Sequence, residues 1–91
     1  MSSYKKELND FLREKMCSYR KEHAYSQEHM AEMIRIAPRS YFDQEHGKYG
    51  FSALSFVMFL LAFPEEEMLE MLGEIRSLMG RLEKEEAART Q

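Results

Sequence analysis

The side chains in this sequence that could do catalytic or metal chemistry are few and widely spaced. Cys17, His23 and His29 lie six residues apart, which puts them on different faces of a helix. The remaining histidine is His46, and the sequence has neither an HExxH nor a CxxC motif. It also has no glycine-rich phosphate loop and no nucleophile paired with a base. We therefore predict no enzyme activity, no metal and no cofactor.

The composition is that of a small helical protein. The chain has 91 residues, one cysteine, four glycines and two prolines, and a formal net charge of −3. The length fits one domain and excludes a large barrel or a doubly wound sheet. A single cysteine excludes a disulfide framework. The N-terminal residues lack the apolar stretch of a secretory signal, so we expect a cytoplasmic location.

The acidic balance weighs against a nucleic-acid partner, because such proteins usually carry a basic surface. The charge is unevenly distributed, however. Residues 1–50 carry a net charge of +1, and residues 51–91 carry −4. The acidity therefore belongs to the C-terminal part of the chain.

The apolar spacing and the cap residues predict five helices, over residues 3–22, 27–34, 38–45, 53–63 and 64–88. Ser26 and Ser52 are predicted N-caps, Pro38 suits a first helical position, and Gly47 ends the third helix. The predicted buried residues are Tyr4, Leu8, Phe11, Leu12, Met16 and Tyr19 in helix 1, and Met30, Ala31 and Ile34 in helix 2. In helix 4 they are Ala53, Phe56, Val57, Leu60 and Phe63.

Helices 2 and 3 are separated by the three residues Arg35-Ile36-Ala37, which suggests a helix-turn-helix. The run SQEHMAEMIRIAPRSYFDQEHG, residues 26–47, resembles the helix-turn-helix of the Cro and phage-repressor (XRE-like) family. The family pattern reads roughly S-Q-x-x-L-A-x-x-x-G-v-s-x-x-x-I-x-x-x-E-x-G. Ser26, Gln27, Ala31, Ile36, Glu45 and Gly47 fall on it without a gap. Met30 and Tyr41 stand where the family has Leu and Ile.

The resemblance covers about residues 12–63 and implies an all-α, five-helix, lambda-repressor-like fold with a long C-terminal helix. It divides the chain into a DNA-binding domain, residues 1–63, and a dimerisation helix, residues 64–91. It also implies an ion pair between Arg20 and Glu45. Two positions depart from the pattern. Arg35 replaces the turn glycine, so either the turn has another geometry or Arg35 is strained. Gln44 replaces an apolar residue, so packing there is expected to be looser.

In this family helix 3 enters the major groove of DNA. The implied base-contacting positions are Ala37, Pro38, Arg39, Ser40, Phe42 and Asp43. Arg39 is the best base reader, because its guanidinium can bond O6 and N7 of guanine, although a phosphate contact or a solvated charge stays open. Asp43, one turn on, either accepts from cytosine or, as we favour, orients Arg39. Gln27, Arg35, Lys48 and Tyr49 are expected to contact the DNA backbone.

The C-terminal part predicts self-association. Helix 4 has a second apolar stripe, and helix 5 has apolar residues at heptad spacing. We expect helix 5 to pack on helix 4 and on a second subunit, although packing within the monomer alone stays open. The predicted dimer interface consists of Leu54, Met58, Leu61, Met68, Leu72, Ile75, Met79 and Leu82.

Together these features predict a DNA-binding transcriptional regulator of phage or bacterial type, most simply a repressor, that acts as a homodimer on double-stranded DNA. No membrane and no small-molecule ligand are expected. The alternative is a protein-interaction module, or an antitoxin-like partner of another protein, with the same fold.

Overall fold

The computed structural model describes the backbone of residues 2–90 and the side chains of residues 4–89. Within that range the chain forms five α-helices and no β-strand, as predicted. They are α1 (Ser2–Glu22), α2 (Gln27–Met33), α3 (Pro38–Glu45), α4 (Ala53–Leu61) and α5 (Glu65–Thr90). None of these helices combines the length and the apolar character that crossing a bilayer requires.

The N-terminal ends of the three middle helices follow the predicted chemistry. The hydroxyl oxygen of Ser26 accepts from the N–H of His29 at 3.0 Å, and that of Ser52 accepts from the N–H of Ser55 at 3.1 Å. Pro38 occupies the first turn of α3. Each device satisfies or removes a backbone donor that the first turn of a helix leaves without a partner.

α1, α2 and α3 end in the same hydrogen-bond pattern, in which a residue with positive φ follows the last turn. These residues are Ala24 (φ 55°), Arg35 (φ 64°) and Gly47 (φ 79°). After each of them, the next N–H bonds back to a carbonyl in the last turn, as Ile36 does to Ala31 at 3.0 Å. Arg35 therefore adopts a left-handed conformation that favours glycine, which in a non-glycine residue costs about 1–2 kcal/mol.

One hydrophobic core draws on all five helices. α2 contributes Met30 and Ala31 to it, and Ile34 at the C-cap of α2 is also buried, as predicted; Tyr41 of α3 is fully buried. The core joins the first three helices to the last two, so α5 is part of the same packed unit. The buried members of the cluster are Met16, Tyr19, Met30, Ala31, Ile34, Tyr41, Phe59 and Met71.

The predicted inward face of α4 is only partly correct. Leu60 and Phe63 pack against the core and Phe56 is half-buried, but Val57 is 46% exposed and Ala53 is exposed. The buried residues of the helix are Ser55 and Phe59, which were not in the predicted set. A helix that is apolar on nearly every side gives no periodic signal for its buried face. The buried hydroxyl of Ser55 accepts from the Ser52 hydroxyl at 3.0 Å, so it has a partner.

α5 lies antiparallel to α1, not along α4 as the sequence suggested. The phenol of Tyr4 donates to Glu86 at 3.3 Å, and the ammonium of Lys15 is 3.0 Å from a carboxylate oxygen of Glu74. The face of α5 that turns inward carries Met71 and Leu82, both buried. The 26-residue helix therefore covers α1 along most of its length.

This packing predicts unequal effects of two leucine substitutions in α5. Leu82 is 5% exposed, whereas Leu69, which is outside the predicted dimer interface, is 57% exposed. We expect Leu82→Ala to lower the free energy of unfolding by about 2–4 kcal/mol, because it leaves a cavity against α1. The matched Leu69→Ala should cost less than about 1 kcal/mol. Urea denaturation of both variants measures this difference, and equal losses would contradict the observed packing face.

Candidate functional site

The carboxylate of Glu45, at the end of α3, is the centre of a hydrogen-bond cluster that joins three helices. Arg20 of α1 binds it with two parallel bonds, each 2.9 Å, from Nε and Nη2. The side-chain amide of Gln27, at the start of α2, donates to it at 2.9 Å. The phenol of Tyr41, one turn earlier in α3, donates at 2.5 Å. Both carboxylate oxygens are therefore bonded twice.

This environment controls the ionisation of Glu45. Burial alone would raise the pKa of the carboxyl group, but the hydrogen bonds from Arg20, Tyr41 and Gln27 outweigh it and lower the pKa to about 2. The side chain of Glu45 is only 9% exposed and that of Arg20 is 17% exposed. Burial, together with the bond to the carboxylate, raises the pKa of Tyr41. The cluster is thus a charged pair with a neutral phenol and amide.

The Arg20–Glu45 contact matches the pair that the family resemblance implies, but the roles of Gln27 and Tyr41 were missed. Gln27 was expected to meet a phosphate, yet its amide is bonded to Glu45. The helical spacing of Tyr41 and Glu45 could have indicated their bond, since residues four apart lie on one face. The contact of Gln27 is set by the angle between α2 and α3, which no local pattern reveals.

The exposed side of α3 forms an open depression with the start of α2. It has a volume of about 350 Å³ and is lined by Gln27, Glu28, Pro38, Arg39 and Phe42. Four of these five residues are in the set predicted to contact DNA. Ala37 and Ser40 are exposed beside it. The structure therefore gathers much of the predicted set on one surface, which we call the α3 face.

The charges on the α3 face are nearly balanced. Nε of Arg39 lies 3.4 Å from a carboxylate oxygen of Asp43, one turn on, as expected for an orienting partner. The side chain of Arg39 is 79% exposed, whereas that of Asp43 is 13% exposed. Phe42 is 42% exposed and stacks on His46 with the ring centroids 4.0 Å apart. The face therefore offers one directed cation beside a ring, with Glu28 and Asp43 as its acidic neighbours.

The remaining predicted backbone contacts lie elsewhere. Arg35 is exposed in the α2–α3 turn. Lys48 and Tyr49 are exposed in the loop after α3, with the ammonium of Lys48 5.6 Å from the centre of the Tyr49 ring. These two residues line a second depression, between that loop and α1. No local pattern predicts this depression, because its two walls come from segments that are far apart along the chain.

The histidines at the α1–α2 junction and the single cysteine do not form a metal site among the described residues; the two histidines pack in a row of aromatic rings. The rings of Tyr19, His23, Tyr25 and His29 form a row where α1 meets α2, with neighbouring centroids 4.1, 5.2 and 4.3 Å apart; the first two pairs are stacked and the last is tilted. Cys17 is half-exposed in α1. Among the residues that the structure describes, no group of three or more His, Cys, Asp or Glu side chains is arranged to hold a metal ion.

The residues of the predicted dimer interface are divided between surface and core. Leu54, Leu61 and Leu72 are exposed by 55, 66 and 38%. Met58, Met68 and Met79 are half-buried. Leu82 is buried, and Ile75 packs against the core. The last two are thus used inside the chain, while Val57 and Leu69, which were not in the predicted set, are 46 and 57% exposed.

No family model, curated protein or solved structure matches this chain. The resemblance to the Cro and phage-repressor family therefore stays a prediction.

The low pKa of Glu45 predicts how stability changes with pH. A carboxyl whose pKa is about 2 in the folded chain, against about 4.3 unfolded, adds stability above pH 5 that is lost as the pH falls towards 2. We expect Glu45→Gln to lower the free energy of unfolding at pH 7 by about 3 kcal/mol, because Arg20 loses its partner. Denaturation in urea at pH 7 and pH 3 measures both effects.

The exposed Glu32 of α2 provides the control. Glu32→Gln should change stability at pH 7 by less than about 0.5 kcal/mol and leave the acid dependence unchanged. Glu45→Gln should instead lose less stability than the wild type between pH 7 and pH 3. A Glu45→Gln variant with the wild-type acid dependence would contradict the role given to this carboxylate.

Proposed function

We propose that this chain is a sequence-specific DNA-binding transcriptional regulator, most simply a repressor, that acts as a homodimer. The proposal extends the helical fold to a lambda-repressor-like domain, in which α2 and α3 form the helix-turn-helix. The observation that carries it is the way α3 is held. Its C-terminal end is tied to α1 and α2 through Glu45, while its N-terminal side chains lie on the exposed α3 face.

This arrangement suits the reading of base edges. A recognition helix must present its first turns to the major groove at a fixed angle. The cluster around Glu45 fixes that angle at the far end of the helix, where it does not obstruct the groove. The contact of Arg39 with Asp43 uses Nε, so the terminal Nη1 and Nη2 groups can reach O6 and N7 of a guanine.

The weak charge of the α3 face sets the expected affinity. Non-specific binding to DNA comes mainly from cations that neutralise phosphates. Here Arg39 is accompanied by Glu28 and Asp43, so one subunit would bind random DNA weakly. Two subunits on adjacent half-sites would double the base contacts, which supports the dimeric form of the proposal. Lys48, Tyr49 and Arg35 supply the expected contacts to the backbone.

A protein-interaction module, including an antitoxin-like partner, is the second candidate. It is favoured by Phe42, whose stacked and 42% exposed ring is typical of a protein contact, and by the carboxylates around Arg39. Binding to random duplex DNA at low and moderate salt separates the two candidates. A regulator should bind at low salt with a steep salt dependence, whereas absence of binding at low salt would favour the protein module.

Arg39→Ala tests base recognition. We expect this variant to bind a preferred site, selected from a random pool, about 5- to 100-fold more weakly, while its affinity for random DNA falls much less. Arg35→Ala, which removes an expected phosphate contact, should weaken binding to both alike and reduce the salt slope by about 1. Lys84→Ala in α5 is the neutral control. Equal losses on both DNAs for Arg39→Ala would contradict base readout.

Leu72→Glu tests the dimer. A charge in a buried apolar interface is costly, so we expect sedimentation to show a dimer for the wild type and a monomer for the variant. Ser77→Glu, an exposed change on another side of α5, should leave the dimer intact. A wild type that is monomeric under these conditions, or a dimer that tolerates Leu72→Glu, would refute this interface.

A further inference from the structure

The second depression, which we call the α1–loop cleft, shares only Lys48 and Tyr49 with the DNA proposal and has further properties that this proposal does not use. It lies between the first half of α1 and the loop that follows α3, and its volume is about 370 Å³. This volume is at the lower end of the range for small-molecule sites. Its walls come from residues 6–13 of α1 and residues 44–51.

Contacts between the two walls define the shape of the cleft. The side-chain oxygen of Asn9 accepts from the N–H of Phe51 at 3.3 Å, which ties the loop to α1. Gly50 lies so close that a Cβ atom there would be 2.8 Å from the amide nitrogen of Asn9. At Gly47 a Cβ atom would be 3.4 Å from Cζ of Arg13. The two glycines therefore let the loop approach α1.

The cleft is basic although the chain is acidic. Lys6, Arg13 and Lys48 line it together with one carboxylate, Asp10, which leaves a net charge of +2. Asp10 accepts from Lys6 at 2.8 Å and from Nη1 of Arg13 at 2.9 Å. The bond from Lys6 leads the interactions that lower the pKa of Asp10. This carboxylate thus holds two of the three cations at the cleft.

Gln44 adds a buried polar group that lacks a partner. Its side chain lines the cleft, the residue is 7% exposed, and its Oε1 has no hydrogen-bond partner among the described residues. Buried polar atoms in folded proteins are almost always bonded. This oxygen is itself buried, so the charges that line the cleft decide which ligand fits. A phosphomonoester matches the net charge of +2, because its second pKa is about 6 and it is mainly a dianion at neutral pH.

We propose that the α1–loop cleft binds the phosphate group of a small phosphomonoester. Arg13 and the two lysines bind the charged oxygens. A DNA backbone phosphate, as a diester, carries only one negative charge where the phosphomonoester carries up to two. The proposal does not depend on DNA binding, since the cleft is formed by the folded chain alone.

The test is a titration of the ¹⁵N-labelled full chain with phenyl phosphate, followed by NMR. The sequence has one asparagine, Asn9, and three glutamines, so their side-chain amides can be assigned individually. We expect saturable shifts for Gln44, Asn9, Gly47 and Gly50, while Gln27 on the α3 face stays unchanged. Sodium chloride at matched ionic strength should not reproduce them. Shifts that do not saturate, or that salt reproduces, would overturn the proposal.

Three variants assign the binding to the cleft. Arg13→Gln and Lys48→Gln each remove one charged contact and should weaken binding about tenfold. Lys5→Gln makes the same change of charge on the exposed side of α1, outside the cleft, and should bind as the wild type does. Equal weakening in all three variants would mean a general effect of charge and would refute the site.

Duplex DNA distinguishes the two sources of phosphate. If the cleft takes a free phosphomonoester, DNA alone should leave the side-chain signals of Gln44 and Asn9 in place, because the DNA proposal uses only Lys48 and Tyr49 of the residues that line the cleft. If DNA alone reproduces the shifts that phenyl phosphate causes in Gln44 and Asn9, the cleft is a backbone contact and the small-molecule assignment is wrong. Failure of DNA to bind at all would refute the DNA proposal and leave the result of the phenyl phosphate titration standing.

Discussion

The four hydrogen bonds to the carboxylate of Glu45 are the constraint on which the presentation of α3 depends. α2 and α3 are short helices of seven and eight residues, too short to be stable alone. Their packing on one another and on α1 gives them stability, and the bonds from Arg20, Gln27 and Tyr41 set the angle between them. The attraction within a buried ion pair is largely offset by the cost of removing both charges from water. The main effect of the Arg20–Glu45 pair is therefore to fix the relative positions of the helices.

The residues with positive φ impose a second constraint, on the chain direction after α1, α2 and α3. Only one of the three could be predicted from the sequence. Gly47 was predictable, because glycine adopts this conformation at little cost. Arg35 left two geometries open, and Ala24 gave no signal at all. In both cases the packing of the next helix against the core decides the backbone conformation. Elements with local signals, such as the caps at Ser26 and Ser52, could be predicted to the residue.

The last two helices show the same limit at a larger scale. The composition and Pro64 were enough to predict that both helices exist. They were not enough to predict which face of each helix is buried. α4 is apolar on most sides, so no periodicity in its sequence indicates that Ser55 and Phe59 are its buried residues. The apolar stripe of α5 was too wide to identify its partner, which is α1. Contacts between segments far apart in sequence, including the α1–loop cleft, leave no periodic trace in either segment.

The distribution of charge shows how a chain with a net negative charge can still offer a surface that attracts anions. The α3 face carries Arg39 with Glu28 and Asp43 close by, whereas the α1–loop cleft carries a net charge of +2. The strongest local attraction for an anion is therefore not on the helix proposed to read bases. On that proposal, specificity must arise from the direction of Arg39 and from two copies of α3, since long-range attraction to DNA is weak. The base-reading contacts do not occupy the basic cleft, and of its residues only Lys48 and Tyr49 are expected to contact the DNA backbone. The remaining cations, Lys6 and Arg13, are then available for a separate, smaller anion.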